Sequence, residues 1–389
     1  MSSAKKAPGS PLLEALEQRS VIVCVGAGGV GKTTISAALA LEAARLGKSA
    51  LVCTIYPARR LANSLGLDAL GNTESQVPEA KWKSAGLTAK APLFAMMLDM
   101  KQSWDELINR YAPPDKRARI LENRFYQALS SALAGSQEYI SLEKLWELRS
   151  GRAYGLIVLD TPPTAHALDF LEAPDRILDF LDNDAAKWLL TPALAAGKVG
   201  LQLFNLGGSY VAKTLARFTG GAMLQELATF MLAIGGLNEN FRERARAVRE
   251  LLAAEETAFV LVTTPNPERM DEAVHFFEVL RAQKMRVAAV VVNRVHSRVL
   301  DSDRAAADAL PDGLRQKMKT TLDELALLAA QDARALATLA ARVSPVALVE
   351  VPRFPLDVHD LAGLHASGEY LLGERTVEGS KIEGSQTAP

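Results

Sequence analysis

Short, continuous apolar runs alternate along this chain with longer stretches that carry apolar residues at helical spacing. Uninterrupted aliphatic and β-branched blocks of this length are typical of strands buried on both faces of a parallel sheet. Because helical patterns separate the blocks, the sequence predicts an α/β fold with a doubly wound, mainly parallel sheet. The predicted strands are Val21–Val25, Ala50–Ile55, Gly155–Leu159, Ala258–Thr263, Val287–Val292 and Ala347–Val351.

Two long intervals, about 94–152 and 174–256, contain helical patterns without a strand signal, so we predict that they are helical inserts. The second interval is apolar on more than one face. A compact subdomain, a dimer interface and a groove for an apolar ligand or a partner's hydrophobic helix are therefore all open interpretations. The ends, 1–20 and 373–389, are rich in small polar and charged residues and are predicted to be poorly ordered tails around one domain at 21–372.

Composition narrows the choice of partners and compartment. The 389 residues include 44 Lys and Arg against 45 Asp and Glu, so no global basic field indicates nucleic acid as a partner. Both cysteines, Cys24 and Cys53, lie in apolar runs without metal-site spacing, which supports neither a zinc nor an arsenite site. The first 20 residues have no apolar signal segment, and no apolar run approaches the roughly 18–20 residues of a membrane span. We expect a cytoplasmic protein.

The most specific motif lies between the first strand and a helix predicted from Thr33 to Leu46. Its residues fill every fixed position of the G-x-x-x-x-G-K-[ST] phosphate loop. Loop N–H groups and the helix N-terminus together present positive charge to phosphate oxygens. We therefore predict a nucleoside triphosphate site in which Lys32 reaches the β- and γ-phosphates and Thr33 coordinates Mg²⁺. The predicted binding residues of this loop are Gly26, Ala27, Gly28, Gly29, Val30, Gly31, Lys32, Thr33 and Thr34.

Asp160 ends the apolar run that begins at Leu156, where ligands bind in open α/β sheets. An acid in this position orients Mg²⁺ directly or through water. We therefore assign Lys32 and Asp160 as catalytic residues, and Thr33 and Asp160 as the metal-binding pair. The following segment includes His166, which is either a reporter of nucleotide state or a hydrogen-bonded structural histidine.

Three segments together resemble the ArsA family of ATPases: the phosphate loop, Pro57–Leu61 and Asp160–His166. The resemblance extends over about Val21–Leu361. It implies a phosphate-loop NTPase fold with a helical insert and a homodimer that binds ATP or ADP with Mg²⁺ between its subunits. It further implies hydrolysis controlled by an effector or by cargo such as a hydrophobic protein or membrane-protein partner.

The same resemblance implies roles for residues near the carboxyl ends of the last two strands. Asn293 would contact the adenine, and Pro352 and Phe354, within Val351–Pro355, would line the same pocket. The alternative for Asn293 is that it caps the end of its strand.

Two departures from the family pattern bear on catalysis. Ala27 stands where family members often carry a lysine that reaches the partner's nucleotide, and Tyr56 stands where they carry an aspartate that positions the attacking water. A phenol with an unperturbed pKa near 10 is a poor acceptor for a water proton at neutral pH. A nucleotide-holding regulatory module with little hydrolysis is therefore one alternative to an active ATPase. A positioning ATPase of the MinD and ParA type is another, although the helical inserts and a tail without a basic amphipathic helix count against it.

Overall fold

One eight-stranded sheet organises the computed structural model of this chain, which describes residues 10–55, 59–124, 126–127, 130, 136–151, 153–161, 171–176 and 238–377. All neighbouring strands run parallel except the short edge pair β3 and β4, and the spatial order is β3-β4-β2-β5-β1-β6-β7-β8. The strands are β1 (Val21–Val25), β2 (Ala50–Thr54), β3 (Ser75–Gln76), β4 (Leu93–Met97), β5 (Leu156–Asp160), β6 (Thr257–Thr263), β7 (Val287–Val295) and β8 (Leu348–Pro352).

The described helices pack on this sheet or belong to the inserts. They are α1 (Pro11–Gln18), α2 (Lys32–Leu46), α3 (Arg59–Ser64), α4 (Glu79–Ser84), α5 (Met100–Tyr111), α6 (Pro114–Leu121), α7 (Ser136–Ser150), α8 (Asn238–Ala253), α9 (Pro267–Ala282), α10 (Asp301–Asp308), α11 (Asp312–Val343) and α12 (Leu361–Leu371). The doubly wound α/β fold predicted from the sequence is confirmed, and each of the six predicted strands is present.

Helix α2 starts directly after the phosphate loop and is buried along most of its length. It is rich in alanine, which has the best helix propensity and lets a helix approach a sheet closely. Gly31 at its N-cap has φ +100° and Gly47 at its C-cap has φ +103°. Because only glycine adopts these conformations without strain, the two residues define where the helix begins and ends.

The prediction of a disordered segment at 1–20 is wrong for its second half, because Pro11–Gln18 forms α1. The Ser10 hydroxyl caps this helix by accepting a hydrogen bond from Leu12 N–H, and Leu12 and Leu16 are fully buried in the core. The ammonium group of Lys48 donates to three carbonyls at the end of the helix. A Ser-Pro start followed by leucines at i and i+4 is the sequence pattern that predicts this helix. Residues 1–9 lie outside the described part of the chain.

The predicted start of the first insert at residue 94 is also wrong, because Leu93–Met97 forms β4 and pairs in parallel with β2. Leucine, alanine and methionine favour helices intrinsically, but pairing with a buried neighbour overrides that preference. The prediction of a poorly ordered tail at 373–389 is wrong for its first residues, since Val377 is buried and the N–H groups of Glu374 and Arg375 donate to the Glu369 carbonyl. Residues 378–389 lie outside the described part.

The chain divides into two compact units. The first comprises Met1–Met97, Leu148–Leu168 and Leu252–Pro389, and contains the sheet. The second comprises Leu98–Glu147 and Asp169–Leu251, and its described residues are largely helical. The region 177–237 of the second predicted insert lies outside the described residues. None of the described helices is long and apolar enough to cross a bilayer.

Within the second unit, the buried carboxylate of Glu143 forms an ion pair with Arg244. The guanidinium of Arg244 also lies over the Trp146 ring, 3.6 Å from its centroid. Burial raises the pKa of Glu143, whereas its hydrogen bond and charge contact with Arg244 oppose that rise. The ion pair and the cation–π contact therefore connect α7 to α8 through one arginine.

Candidate functional site

The phosphate loop runs from the end of β1 to the start of α2, and two of its glycines are required by close contacts. A Cβ atom on Gly26, which has φ +153°, would lie 2.1 Å from the carbonyl oxygen of Val262 on β6. A Cβ on Gly31 would lie 2.2 Å from Nδ2 of Asn293 on β7. Gly29, with φ +79°, has open space around it. The loop thus follows a path against two strands, on which a side chain would clash with backbone at position 26 and would displace Asn293 at position 31.

Lys32, the first residue of α2, directs its ammonium group back to the loop. Its Nζ donates to the carbonyls of Gly26 at 2.8 Å and Ala27 at 2.9 Å. Burial lowers the pKa of Lys32, and the nearby charge of Asp160 acts in the opposite direction. A cation is therefore held inside the loop, where the backbone N–H groups also favour anions.

Asp160 receives two short hydrogen bonds at the carboxyl end of β5. Its Oδ2 accepts from Thr33 Oγ1 at 2.6 Å and from Thr54 Oγ1 at 2.9 Å. Parallel pairing of β2 with β5 places Thr54 beside Asp160 in register. Burial raises the pKa of Asp160, while the two threonine hydroxyls and the charge of Lys32 lower it. Since both hydroxyls donate to the same oxygen, the arrangement suits an ionised carboxylate.

These oxygen atoms fit a magnesium ion. Mg²⁺ prefers carboxylate and hydroxyl oxygen ligands, of which a protein usually supplies one or two. The second carboxylate oxygen, Oδ1 of Asp160, is buried and has no hydrogen-bond partner among the described residues. The donor set of Thr33 and Asp160 is therefore chemically suited to Mg²⁺. Elsewhere, the described ranges contain no group of three or more His, Cys, Asp or Glu side chains that would hold a metal. The absence of zinc and arsenite sites stays a prediction.

Asn293 connects β7 to the phosphate loop. Its Nδ2 donates to the Val30 carbonyl at 2.9 Å, and its Oδ1 accepts from the backbone N–H of Arg294 at 2.9 Å. Arg294 has φ +63°, a left-handed conformation that is uncommon for a residue with a side chain. The amide thus braces the loop and the end of its own strand. Its predicted contact with adenine stays a prediction.

An open cleft of about 1230 Å³ lies at this edge of the sheet. The predicted site residues that line it are Gly29, Gly31, Lys32, Thr33, Thr34, Asp160, Asn293, Pro352 and Phe354. The other predicted loop residues, Gly26, Ala27, Gly28 and Val30, form the loop itself without lining the cleft. Ala27 is buried in the apolar core. Phosphate-binding and base-pocket candidates, far apart in sequence, therefore share one cleft.

Sequence reasoning missed several residues of this region. Thr54 donates a hydrogen bond to the Asp160 carboxylate. Its position at the end of β2 is the local sequence feature that could have indicated this role. His296 and Asp332 were missed as well: His296 contacts Asp332 and also Arg353, which lies in the predicted pocket segment Val351–Pro355 and lines the cleft. Tyr56 and His166 lie outside the described residues.

Comparisons with known proteins find several ATPases that are similar to this chain. ATPase ARSA1 of Chlamydomonas reinhardtii is 27% identical over 370 residues, which cover 88% of this chain and 42% of that protein. ATPase GET3 of Malassezia globosa is 32% identical over 161 residues, 41% of this chain and 44% of that protein. ATPase GET3B of Arabidopsis thaliana is 26% identical over 304 residues, 72% of this chain and 64% of that protein.

The match spans less than half the length of the first two of these relatives. The family model, by contrast, aligns with most of this chain, because the model for anion-transporting ATPases matches residues 19–309. That range includes β1 to β7, the phosphate loop and Asp160. The chain therefore belongs to the anion-transporting ATPase (ArsA) family.

Proposed function

We propose that this protein binds ATP with Mg²⁺ in the cleft and hydrolyses it, and that the nucleotide controls the conformation of the helical second unit. The observation that carries the proposal is the meeting of Lys32, Thr33 and Asp160 at the carboxyl ends of β1 and β5. Family membership and the named ATPase relatives support the same activity.

Each residue of this constellation has a distinct role in the proposal. Lys32 neutralises negative charge on the β- and γ-phosphates, a contribution that grows as charge develops on the leaving group. Thr33 and Asp160 would hold Mg²⁺, which when bound shields phosphate charge and orients the γ-phosphoryl group. Thr54 orients Asp160 through its hydrogen bond, which favours the ionised carboxylate against the effect of burial.

A binding assay with matched variants tests the nucleotide site. We expect Thr33→Val and Asp160→Asn to weaken Mg-ATP binding by about 10- to 100-fold, the usual cost of losing a metal ligand or its support. The same variants should bind ATP in EDTA about as well as the unaltered chain does. Asp323→Asn removes an exposed carboxylate that does not line the cleft and should change neither affinity. If both site variants retain full Mg²⁺-dependent affinity, the assignment is wrong.

A second candidate function is a nucleotide-holding module with slow turnover. It is favoured by Ala27, which is buried in the core and stands where the family resemblance implies a lysine that reaches the partner's nucleotide. Arginine-finger-type groups contribute about 10³–10⁵ in rate, so the loss of one is large. Tyr56, in place of a water-positioning aspartate, favours the same alternative.

Single-turnover phosphate release separates the two functions. Brisk release by the unaltered chain excludes the slow module, whereas slow release that Tyr56→Asp accelerates supports it. Equal, slow release by both proteins, with ATP bound, would show that Tyr56 is not the limiting group. Tyr111→Phe serves as a control for general effects of altering a tyrosine in the chain.

We further propose that the protein acts as a homodimer whose helical units handle a hydrophobic protein or membrane-protein partner. The resemblance to ArsA-family targeting factors and the apolar character of 174–256 support this finer function. A synthetic peptide of about 20 apolar residues mimics a membrane span. Deletion of Leu201–Leu237 should abolish ATP-dependent binding of this peptide and leave ATP affinity intact. Unchanged peptide binding by the deletion variant contradicts the proposed role of that region.

A further inference from the structure

The long helix α11 changes its environment halfway along its length. Its 32 residues extend over about 48 Å. One face of the helix carries residues at intervals of seven, which are Met318, Leu325, Asp332 and Leu339. Met318 and Leu325 are each 39% exposed, whereas Asp332 is buried and Leu339 is 1% exposed. The second half of α11 thus buries a face that the first half leaves open.

The open half of this face is apolar and follows the spacing of a coiled coil. Its exposed residues, which we call the open seam, are Leu314, Met318, Thr321, Leu325 and Leu328. Steps of four and three residues alternate along the seam, and this spacing keeps one stripe of a helix directed at a partner helix. Single exposed leucines are common on protein surfaces, but a continuous apolar row indicates an interaction site. The open seam therefore has the shape to receive a second helix.

Helix α10 packs along one side of the open seam. On that side of α11, Lys319 forms an ion pair with Asp308 of α10, and Asp323 forms one with Arg304 of α10. Leu322, which lies between these two charges on α11, is buried. This side of the helix is therefore already occupied within the chain.

The other side of the open seam carries two charges, Lys317 and Glu324. Both residues are exposed, and they lie seven residues apart on the same side of the helix, one before Thr321 and one after it. Neither forms an ion pair with another residue in the part of the chain that the structure describes. Charges that flank a coiled-coil seam determine which helix binds there and in which direction it runs.

These two charges complement each other in an antiparallel pair of α11 helices. About a two-fold axis every contact occurs twice, and residues before the axis meet residues after it. With the axis at Thr321, Lys317 faces the partner's Glu324 and Glu324 faces the partner's Lys317. In a parallel pair, Lys317 would instead face the partner's Leu322, on the side that α10 occupies. Charge therefore favours the antiparallel arrangement.

We propose that the open seam docks a second copy of this chain, with the two α11 helices antiparallel and the ion pair between Lys317 and Glu324 formed twice. In this register Leu314 packs against the partner's Leu328. The partner helix, which starts at Asp312, then begins beside Ala330, just before the face becomes buried at Asp332. The open parts of the two helices thus match in length. No residue of the seam lines the nucleotide cleft, so this inference stands apart from the proposed function.

Sedimentation velocity of the full chain without nucleotide tests the seam. We expect a reversible dimer contact with a Kd below about 100 μM. Leu325→Glu should weaken it at least about 100-fold, because each dimer would bury two unpaired charges. Leu327→Glu is the matched control, since Leu327 is also exposed but lies on the far side of the helix, and it should leave the association unchanged.

Charge reversal tests the direction of the pair. Lys317→Glu and Glu324→Lys each place like charges opposite each other twice, and each should weaken association by about 3- to 30-fold. The double variant Lys317→Glu/Glu324→Lys restores both ion pairs and should regain the original affinity to within about threefold. Failure of this rescue would overturn the antiparallel register.

A cysteine cross-link tests the position of the axis. In the proposed dimer Thr321 faces its own counterpart, so Thr321→Cys should form a disulfide between two chains under mild oxidation. Thr338→Cys is the control, because Thr338 is exposed on the same helix but lies outside the seam. The native Cys24 and Cys53 are buried and should not contribute.

The outcomes separate this inference from its alternatives. A chain that stays monomeric and gives no Thr321→Cys cross-link overturns it. Association that Leu325→Glu leaves intact, whether or not it needs ATP, shows that copies of the chain meet elsewhere and also overturns it. If Leu325→Glu lowers the melting temperature of a monomeric chain, a segment of the same chain covers the seam. ATP affinity should be the same for every seam variant, so loss of nucleotide binding in the unaltered chain would count against the proposed function alone.

Discussion

The contact between Gly31 and Asn293 makes a quantitative prediction about the phosphate loop. In Gly31→Ala, the new Cβ would lie 2.2 Å from the Asn293 amide nitrogen and would displace the side chain that bonds Val30. Two costs follow. An alanine at φ +100° is strained by about 1–2 kcal/mol. The carbonyl of Val30, a residue that is only 2% exposed, loses its hydrogen-bond partner, which costs about 1–3 kcal/mol. We expect Gly31→Ala to lower the free energy of unfolding by about 2–5 kcal/mol in total.

Asn293→Ala tests the same bond from the other side. It removes the amide without introducing a clash, so it should cost about 1–3 kcal/mol. Independent effects would sum to about 3–8 kcal/mol in the double variant. Because the Asn293–Val30 bond is lost only once, the double variant should instead cost about 2–5 kcal/mol, which leaves a coupling energy of about 1–3 kcal/mol.

Urea unfolding of the four proteins, followed by tryptophan fluorescence and by circular dichroism, measures this coupling. Gly29→Ala is the matched control, since its φ of +79° is also strained but no atom lies within 4 Å of the added Cβ. Its effect should add to that of Asn293→Ala within about 0.5 kcal/mol. Additivity of Gly31→Ala with Asn293→Ala, to the same tolerance, would refute the reasoning.

Three further predictions concern burial outside the cleft. Burial raises the pKa of the Cys24 thiol to about 12, so at pH 8 the thiolate fraction is about 10⁻⁴. Iodoacetamide should therefore label Cys24 only as the protein unfolds, and rapid labelling of the native chain would contradict this prediction. Lys48→Met should cost about 1–3 kcal/mol in urea unfolding, because the end of α1 loses its bonds to the ammonium group; an unchanged midpoint would mean that α1 is not held this way. Gly368→Ala should destabilise by about 1–3 kcal/mol, because its Cβ would lie 2.5 Å from the buried Glu42 side chain, whereas Gly71→Ala has open space and should be nearly neutral.

The parts of the fold that were predictable are those in which local preference and tertiary environment agree. Strands such as Val287–Val295 are rich in β-branched residues and are buried, so composition and location indicate the same element. Leu93–Met97 is the opposite case. Its residues favour a helix, and pairing with the neighbouring strands β2 and β3 makes the segment a strand, which no local pattern reveals.

The residues of the candidate site likewise fall into those that the sequence could predict and those that it could not. Lys32 and Thr33 belong to a contiguous motif whose residue types and spacing indicate phosphate binding, and Asp160 stands at the end of a strand that the sequence predicts clearly. Thr54 reaches Asp160 through the register of two strands 106 residues apart in sequence. Arg353, His296 and Asp332 meet because β7 and β8 are adjacent and α11 packs beside them. Such contacts are products of topology, so they become visible only once the sheet is assembled.

The two ends of the cleft are built differently, so we expect one end to contribute mainly to affinity and the other to selectivity among nucleotides. At the phosphate end, the loop is fixed by Val262 against Gly26, by Asn293 bonded to Val30, and by Lys32 bonded to its carbonyls. Pre-organised donors of this kind bind any triphosphate at little cost in ordering. The far end is made of exposed side chains after β8, among them Leu356 at 76% exposure. We therefore expect any discrimination between nucleotides to come from contacts at that end. For this reason, substitutions at Lys32 should lower the affinity for ATP and the affinity for inorganic tripolyphosphate, which has no base, together.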